Sequence, residues 1–334
     1  MRVCLFLALA TTSVAPLAAQ DRQEKLQGYA EYVRGATLIV DGQRVQSDGR
    51  TRFAGAGAAA LTSIPLGYEV KVQGRRLADG SVLAAKVEAK PNGEDASEAQ
   101  VRAASDEAER AWVEKKMMFE PGPDGKVVKI GDILESGPYV ERARRIMDRL
   151  RPAYVPASAL RVRVVRTEQW NASAMANGAV WVYSGLMDAM DDDELAIVLG
   201  HELTHYTHEH VRRSVKKNMF GQIAAAASAV AASQVSNAAA QQAIALGGQL
   251  GASALVSGYS REFEDQADRV GLRYVYEAGY DPTKGPKIWM KFKDKYGEQD
   301  KLTNFFVGDH ARPTERIRNI EEQIRYNYSA PRSR

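Results

Sequence analysis

The sequence predicts an α+β protein, with a mostly helical C-terminal domain that carries a small sheet and follows a small all-β domain. From Tyr29 to about Lys90, apolar and polar residues alternate at the period of a strand, and the pattern is broken by Asp-Gly pairs. From Tyr139 onward, several segments repeat apolar residues at the period of a helix. A chain of 334 residues is also long enough that more than one domain is expected.

At the N-terminus, Arg2 precedes an apolar run from Val3 to Ala10, and small residues lead to Ala18-Ala19 before Gln20 and Asp21. Residues 1–19 therefore resemble a secretory signal peptide cut after Ala19, and export to a bacterial periplasm is the expectation. An uncleaved segment anchored in the inner membrane is the alternative. The single cysteine, Cys4, lies inside this segment, so disulfides are not expected to stabilise the exported chain. The formal net charge is only +3 and no basic run occurs, which excludes nucleic acid as an indicated partner. The mild positive excess is compatible with association at an anionic membrane surface.

Residues 28–91 form the expected β-rich domain. Asp41-Gly42, Asp48-Gly49 and Asp79-Gly80 mark turns, and the last joins Tyr68–Gly74 to Ser81–Glu88 as a hairpin. Short strands at this spacing predict a small barrel, with an oligonucleotide/oligosaccharide-binding (OB)-like arrangement as one candidate. Lacking a row of aromatic residues for stacking, it reads as an interaction or positioning module, or as a structural appendage. Residues 92–125 read as a helical linker, with apolar repeats at Val101, Ala108, Ala111 and Trp112, followed by a hinge at Pro121-Gly122-Pro123.

The larger domain is expected over residues 126–330. It begins with a helix from about Tyr139 to Leu150 and a strand from Leu160 to Val165. A hairpin over Met175–Tyr183 turns at Asn177-Gly178, and residues 172–177 are candidates to line a cleft for an extended peptide. Residues 219–258 are rich in Ala, Ser, Gly and Gln, and their polar interruptions favour two closely packed helices or a lid over a membrane span.

The most specific pattern is His201-Glu202-Leu203-Thr204-His205. Two histidines four positions apart on a helix differ by about 40° around the axis and can close on one metal ion. Glu202 is turned aside by about 100° and can face a water on that metal. Neutral imidazoles suit Zn²⁺, and an open zinc site makes hydroxide near neutral pH. This is an apparatus for hydrolysing a peptide bond. Asp191 to Glu194 supply the acidic first turn of the helix, and Leu195, Leu199, Leu203 and Tyr206 form its apolar stripe.

A catalytic zinc needs a third protein ligand. On a straight helix His208 lies about 10 Å along the axis from His201, too far to share an ion. No glycine between Tyr206 and Glu209 turns the chain back, so a compact three-histidine site is not expected. His210 reads as a hydrogen-bonded core histidine and His208 as a solvated one. The next acidic helix begins at Ser260, a plausible N-cap, with Phe263, Ala267, Val270 and Tyr274 as its buried stripe. Glu264 and Asp268 flank that stripe. One of them can ligate zinc while the other accepts a hydrogen bond from a ligand histidine. Glu262 and Asp265 look outward.

Gly200-His201-Glu202-x-x-His205, with His210 and then Ser260-Arg261-x-x-Glu264-x-x-Ala267-Asp268, resembles the HtpX-like zinc metallopeptidases. That group includes the CAAX prenyl endopeptidases. The similarity extends over roughly residues 130–325, including Asn171-Ala172, Ser184-Gly185-Leu186, His310, Arg316 and Ile317. It implies a zincin-type domain of the gluzincin kind, with one Zn²⁺ per chain on His201, His205 and Glu264. Glu202 is then the general base, Asp268 a carboxylate behind the ligands, and Arg261 a structural ion-pair partner. Where the family commonly has proline directly after the histidine matching His310, this chain has Ala311-Arg312-Pro313. A histidine there would approach the zinc, steady an oxyanion or block the metal at rest, or else serve only as a loop residue.

The function expected from these readings is an exported zinc endopeptidase that cleaves misfolded or membrane-associated envelope proteins, taken as extended polypeptides. A latent or non-catalytic zinc-binding chaperone is the alternative, but the intact Glu202 argues against it. An exopeptidase would need a site for a free terminus, which the sequence does not display. The oligomeric state is not legible.

Overall fold

A computed structural model describes residues 23–55, 58–90, 96–121, 127–214, 259–296 and 313–328. The expected signal segment, residues 219–258 and His310 lie outside these residues. The first sheet contains β1 (Gln23–Arg34), β2 (Thr37–Val40), β3 (Gln43–Gln46), β4 (Arg52–Gly55), β5 (Glu69–Arg76) and β6 (Val82–Lys90). Its order is β3-β2-β1-β5-β6-β4, and β3 also pairs in parallel with β6 at Val45–Val82, so the sheet closes on itself. The alternation in the sequence sends Leu38, Val40, Val45, Val70, Val72 and Val87 inward. At the β2–β3 turn, Asp41 and Gly42 take φ values of 42° and 74°. Two successive positive φ values match the twist of a tight hairpin, which is why Asp-Gly is favoured there.

The second sheet contains β7 (Met117–Pro121), β8 (Val127–Leu134), β9 (Arg161–Arg166), β10 (Ala172–Ala174) and β11 (Ala179–Tyr183), in the order β10-β11-β9-β8-β7. The longer helices among the described residues are α1 (Ala96–Lys115), α2 (Pro138–Leu150), α3 (Ser184–Ala189), α4 (Asp192–Thr207), α5 (Arg261–Glu277), α6 (Gly285–Tyr296) and α7 (Pro313–Asn327). Helices and sheets together make the fold α+β. Buried side chains of α2, β9–β11, α4, α5 and α6 form one large core. Among the described residues, no helix is long and apolar enough to cross a membrane.

In the described part of the segment read as a linker, β7 pairs antiparallel with β8 and Trp112 of α1 meets Trp181 of β11 edge-on at 5.4 Å, while residues 122–125 of the expected hinge lie outside the described residues. The hairpin expected over Met175–Tyr183 is corrected, because its first strand lies earlier, at Ala172–Ala174, and its turn is longer than Asn177-Gly178. Strand β10 ends at Ala174, and residues 175–178 form the turn, closed by Gly178 N–H donating to the Met175 carbonyl at 3.1 Å. Only Gly178 has positive φ there, so this is not the two-residue Asn-Gly turn.

Glu109 ties these pieces together. Its buried carboxylate accepts from Arg161 Nη2 at 2.8 Å and from Asn177 Nδ2 at 2.8 Å, and pairs with Arg163 Nη2 at 2.9 Å. Burial acts to raise its pKa, but the two arginines outweigh that and hold it below the usual glutamate value. The sign follows from the depressed folded-state pKa. The stability this group contributes is complete above the unfolded value of about 4.3 and is lost as pH falls through the lower folded value. Glu109→Gln is expected to cost about 2 kcal/mol at pH 7, the scale of hydrogen bonds to a charged group. Urea unfolding should show that difference shrinking at pH 3. An equal loss at both pH values would contradict the account.

Candidate metal centre

Helix α4 starts where the sequence places charge. Asp191 Oδ1 accepts from Glu194 N–H, and Glu194 Oε2 accepts from Asp191 N–H, each at 3.0 Å, closing a capping box. Leu195, Leu199 and Leu203 are fully buried, as their stripe predicts. The histidine face is buried as well, with His201 2%, Glu202 1% and His205 0% exposed. Helix α5 covers that face. A Cβ on Gly271 would lie 2.8 Å from His201 N, and one on Gly200 would lie 2.9 Å from the Gly271 carbonyl oxygen. The two backbones meet because both positions lack a side chain, and this brings α5's carboxylates against the α4 histidines.

His201, His205 and Glu264 each offer a ligand atom, and all three atoms lie within 4.8 Å of one another. His201 Nε2 and His205 Nε2 are 3.0 Å apart. Glu264 Oε2 is 3.5 Å from His201 Nε2, and Glu264 Oε1 is 3.5 Å from His205 Nε2. Ligands of a tetrahedral zinc, each about 2.0–2.1 Å from the ion, stand about 3.3–3.4 Å from each other. The spacing therefore fits such an ion. Charge fits too. The buried guanidinium of Arg316 feels Asp268, Glu264 and Glu202 together. A divalent ion held beside these carboxylates would add to the compensation that Arg316 supplies.

Asp268 Oδ1 lies 3.0 Å from His201 Nδ1. In the tautomer that carries its proton on Nδ1, His201 donates to Asp268, which only accepts, and its Nε2 lone pair faces the cluster. Arg316 Nη2 lies 2.9 Å from the same Nδ1 and donates to Asp268, while Arg316 Nε donates to Asp268 Oδ2 at 2.9 Å. Burial alone would raise the Asp268 pKa, but Arg316 and the His201 hydrogen bond hold it below the usual aspartate value. Arg316 Nη1 is 3.1 Å from Glu264 Oε2, and its guanidinium lies 3.5 Å from the centre of the Trp289 ring.

The stripe Phe263, Ala267, Val270 and Tyr274 is buried as expected, and Glu262 is exposed. Asp265 is only half outward, accepting from Asn319 Nδ2 at 3.1 Å. Ser260 occupies the N-cap position without a capping hydrogen bond from its hydroxyl. Arg261 is exposed and forms no ion pair among the described residues. The cation at this site is Arg316, contributed by α7.

The region after His205 corrects the straight-helix reading. Helix α4 ends at Thr207, and Glu209 takes φ 55°, so the chain turns without a glycine. The turn carries His210 back, with its Nδ1 2.8 Å from His205 Nδ1 and its ring stacked on Phe263 at 4.6 Å. His210 is thus the buried, hydrogen-bonded histidine expected. Burial, with Arg213 nearby, pushes its pKa well down and keeps it neutral. His208 is not solvated. It is 0% exposed, beside Tyr29 of the barrel at 6.4 Å between ring centres, and burial pushes its pKa down to about 3. A helical wheel cannot register a second sheet packed on the helix end.

Sequence reasoning missed Gln266, whose amide oxygen accepts from His210 Nε2 at 3.0 Å. A neutral amide on an acidic helix gives no signal of its own. A cavity of about 410 Å³ opens beside His205, lined among others by Val101, Tyr154, Ala176, Asn177 and Val211.

Residues 139–324 match the model of peptidase family M48, and residues 27–88 match DUF5666, a domain of unknown function. The chain is 35% identical over 162 residues to metalloprotease YcaL of Escherichia coli K12, covering 48% of this chain and 61% of that protein. It is 30% identical over 163 residues to metalloprotease LoiP of the same organism, covering 48% and 62%. A putative beta-barrel assembly-enhancing protease of Vibrio cholerae is 29% identical over 165 residues, covering 48% and 34%. The chain thus spans less than two thirds of each of these relatives.

Proposed function

The chain belongs to peptidase family M48 and is a metallopeptidase, and from that premise we propose that it is an exported zinc endopeptidase acting on misfolded or membrane-associated envelope proteins. The observation that carries the reading is the convergence of His201, His205 and Glu264 at 3.0–3.5 Å, with Glu202 buried beside them on α4. Zinc held by those three residues would supply a Lewis acid and an acidified water. Glu202 takes the proton of the attacking water and passes it to the leaving amine. Asp268 keeps His201 in the tautomer that presents Nε2.

Strand β10 pairs with β11 alone among the described residues, and an extended peptide could add to its other edge. Residues 172–177 are proposed to bind that peptide, and the cavity holding Ala176, Asn177 and His205 supports this. The closed first sheet is read as OB-like, a module for positioning partners rather than for catalysis. The segment 1–19 favours export, and the name of the Vibrio relative ties that protein to assembly of β-barrel proteins.

The test is cleavage of an unfolded model protein by the purified chain, with metal content measured on the same sample. Zinc near one per chain is expected, with cleavage lost on chelation and restored by added zinc. A chain that binds no zinc would overturn the reading.

A further inference from the structure

Four hydrogen bonds connect the barrel to a proposed metal ligand. Gln266 Nε2 lies 2.9 Å from Glu31 Oε1 and 2.7 Å from Asp41 Oδ1, both on the barrel. Carboxylates only accept, so the amide nitrogen must face them. Arg213 Nη1, which only donates, lies 2.8 Å from Gln266 Oε1. Charged groups on both sides thus fix the amide, and its oxygen faces His210 Nε2 at 3.0 Å. His210 must therefore carry its proton on Nε2 and present a lone pair at Nδ1. At 2.8 Å from that lone pair, His205 Nδ1 must donate. The remaining lone pair of His205 then sits on Nε2, the atom 3.0 Å from His201 Nε2.

Glu31 is 1% exposed and is held by Arg269 Nη2 of α5 at 2.9 Å. Asp41 Oδ1 also accepts from Tyr29 N–H at 2.9 Å, which fixes its carboxylate on the barrel. The barrel therefore presents two aimed acceptors to a single amide on the metal-site helix.

We propose that Glu31 and Asp41 are positioning residues of the metal centre, acting through Gln266 and His210 to hold His205 in its metal-binding tautomer. Docking of the barrel thereby sets the affinity for metal. The inference rests on the reading of His205 as a zinc ligand, and it gives the β-rich module a role in the chemistry without contact with substrate.

The experiment uses the full chain with ¹⁵N-labelled histidine. Long-range ¹H–¹⁵N spectra are expected to show His210 protonated on Nε2 and His205 on Nδ1, with or without zinc. His210 protonated on Nδ1 in the unmutated chain would overturn the relay, and this arm needs no variant to fold. Zinc affinity is then measured by competition with a chromogenic chelator. Gln266→Leu is expected to weaken it about 10–100-fold, as loss of a group that orients a metal ligand does. The pair Glu31→Gln with Asp41→Asn should weaken it in the same direction and shift part of the His210 signal to the Nδ1–H form. Folded variants with unchanged affinity and unchanged tautomers would overturn the proposal. If the unmutated chain binds no zinc, the metal reading fails by itself, and the tautomers of the metal-free chain still decide the relay.

Discussion

Glu202→Gln is expected to lower kcat for peptide cleavage by about 10²–10⁴-fold, the range of a lost general base, while zinc content stays near one per chain. Glutamine keeps the size of the side chain and much of its hydrogen bonding, but it cannot take a proton at neutral pH. Glu202 is absent from the group of His201, His205 and Glu264 that can share an ion, so metal binding does not depend on it. It is 1% exposed and follows His201 directly on a helix locked by its capping box and by the Gly200–Gly271 contact. The position is thus rigid, and the loss should fall on kcat more than on KM. Steady-state kinetics beside metal analysis decides the matter. A variant with full zinc and full activity would remove Glu202 from the proposed mechanism.

The legible parts of this site are the ones a helix makes local. His201, Glu202 and His205 fall within one turn, so spacing alone gives their geometry. Glu264 and Asp268 could be narrowed to a pair by the same argument, but which of them joins the histidines depends on how α5 crosses α4. That crossing is set by two glycines whose meaning emerges only when the helices are in place. The barrel was legible as strands because its alternation is strict. Its contacts were not, since Glu31 and Asp41 stand 235 and 225 positions from Gln266. His208 failed for the same reason, since its environment is a second sheet and not its own helix. His210 turned on one backbone angle, φ 55° at Glu209, in a residue type that seldom adopts it.

Replacing Arg316 with methionine is expected to destabilise the metal-free chain by about 3–5 kcal/mol, the cost of leaving a buried ion pair without one partner. Methionine can occupy the space against Trp289 and keep part of the packing. It cannot replace the bonds to Asp268 or the contact at 3.1 Å with Glu264 Oε2. Asp268 and Glu264 would then face each other at 5–7% exposure without that cation. Zinc changes the balance, because a divalent ion on Glu264 takes over part of the compensation. The loss in the zinc-loaded chain should therefore be smaller, and zinc should raise the variant's stability more than the unmutated chain's. Arg316→Lys should fall between the two, since lysine keeps the charge but not the two-pronged contact with Asp268. Urea unfolding of loaded and metal-free forms measures all three. Equal losses with and without zinc would mean that Arg316 serves Asp268 alone, and a loss below about 1 kcal/mol in the metal-free chain would contradict the charge argument. The dependence on zinc is the informative quantity. A structural arginine would destabilise both forms alike, whereas a cation that shares its carboxylates with a metal must matter most when the metal is gone.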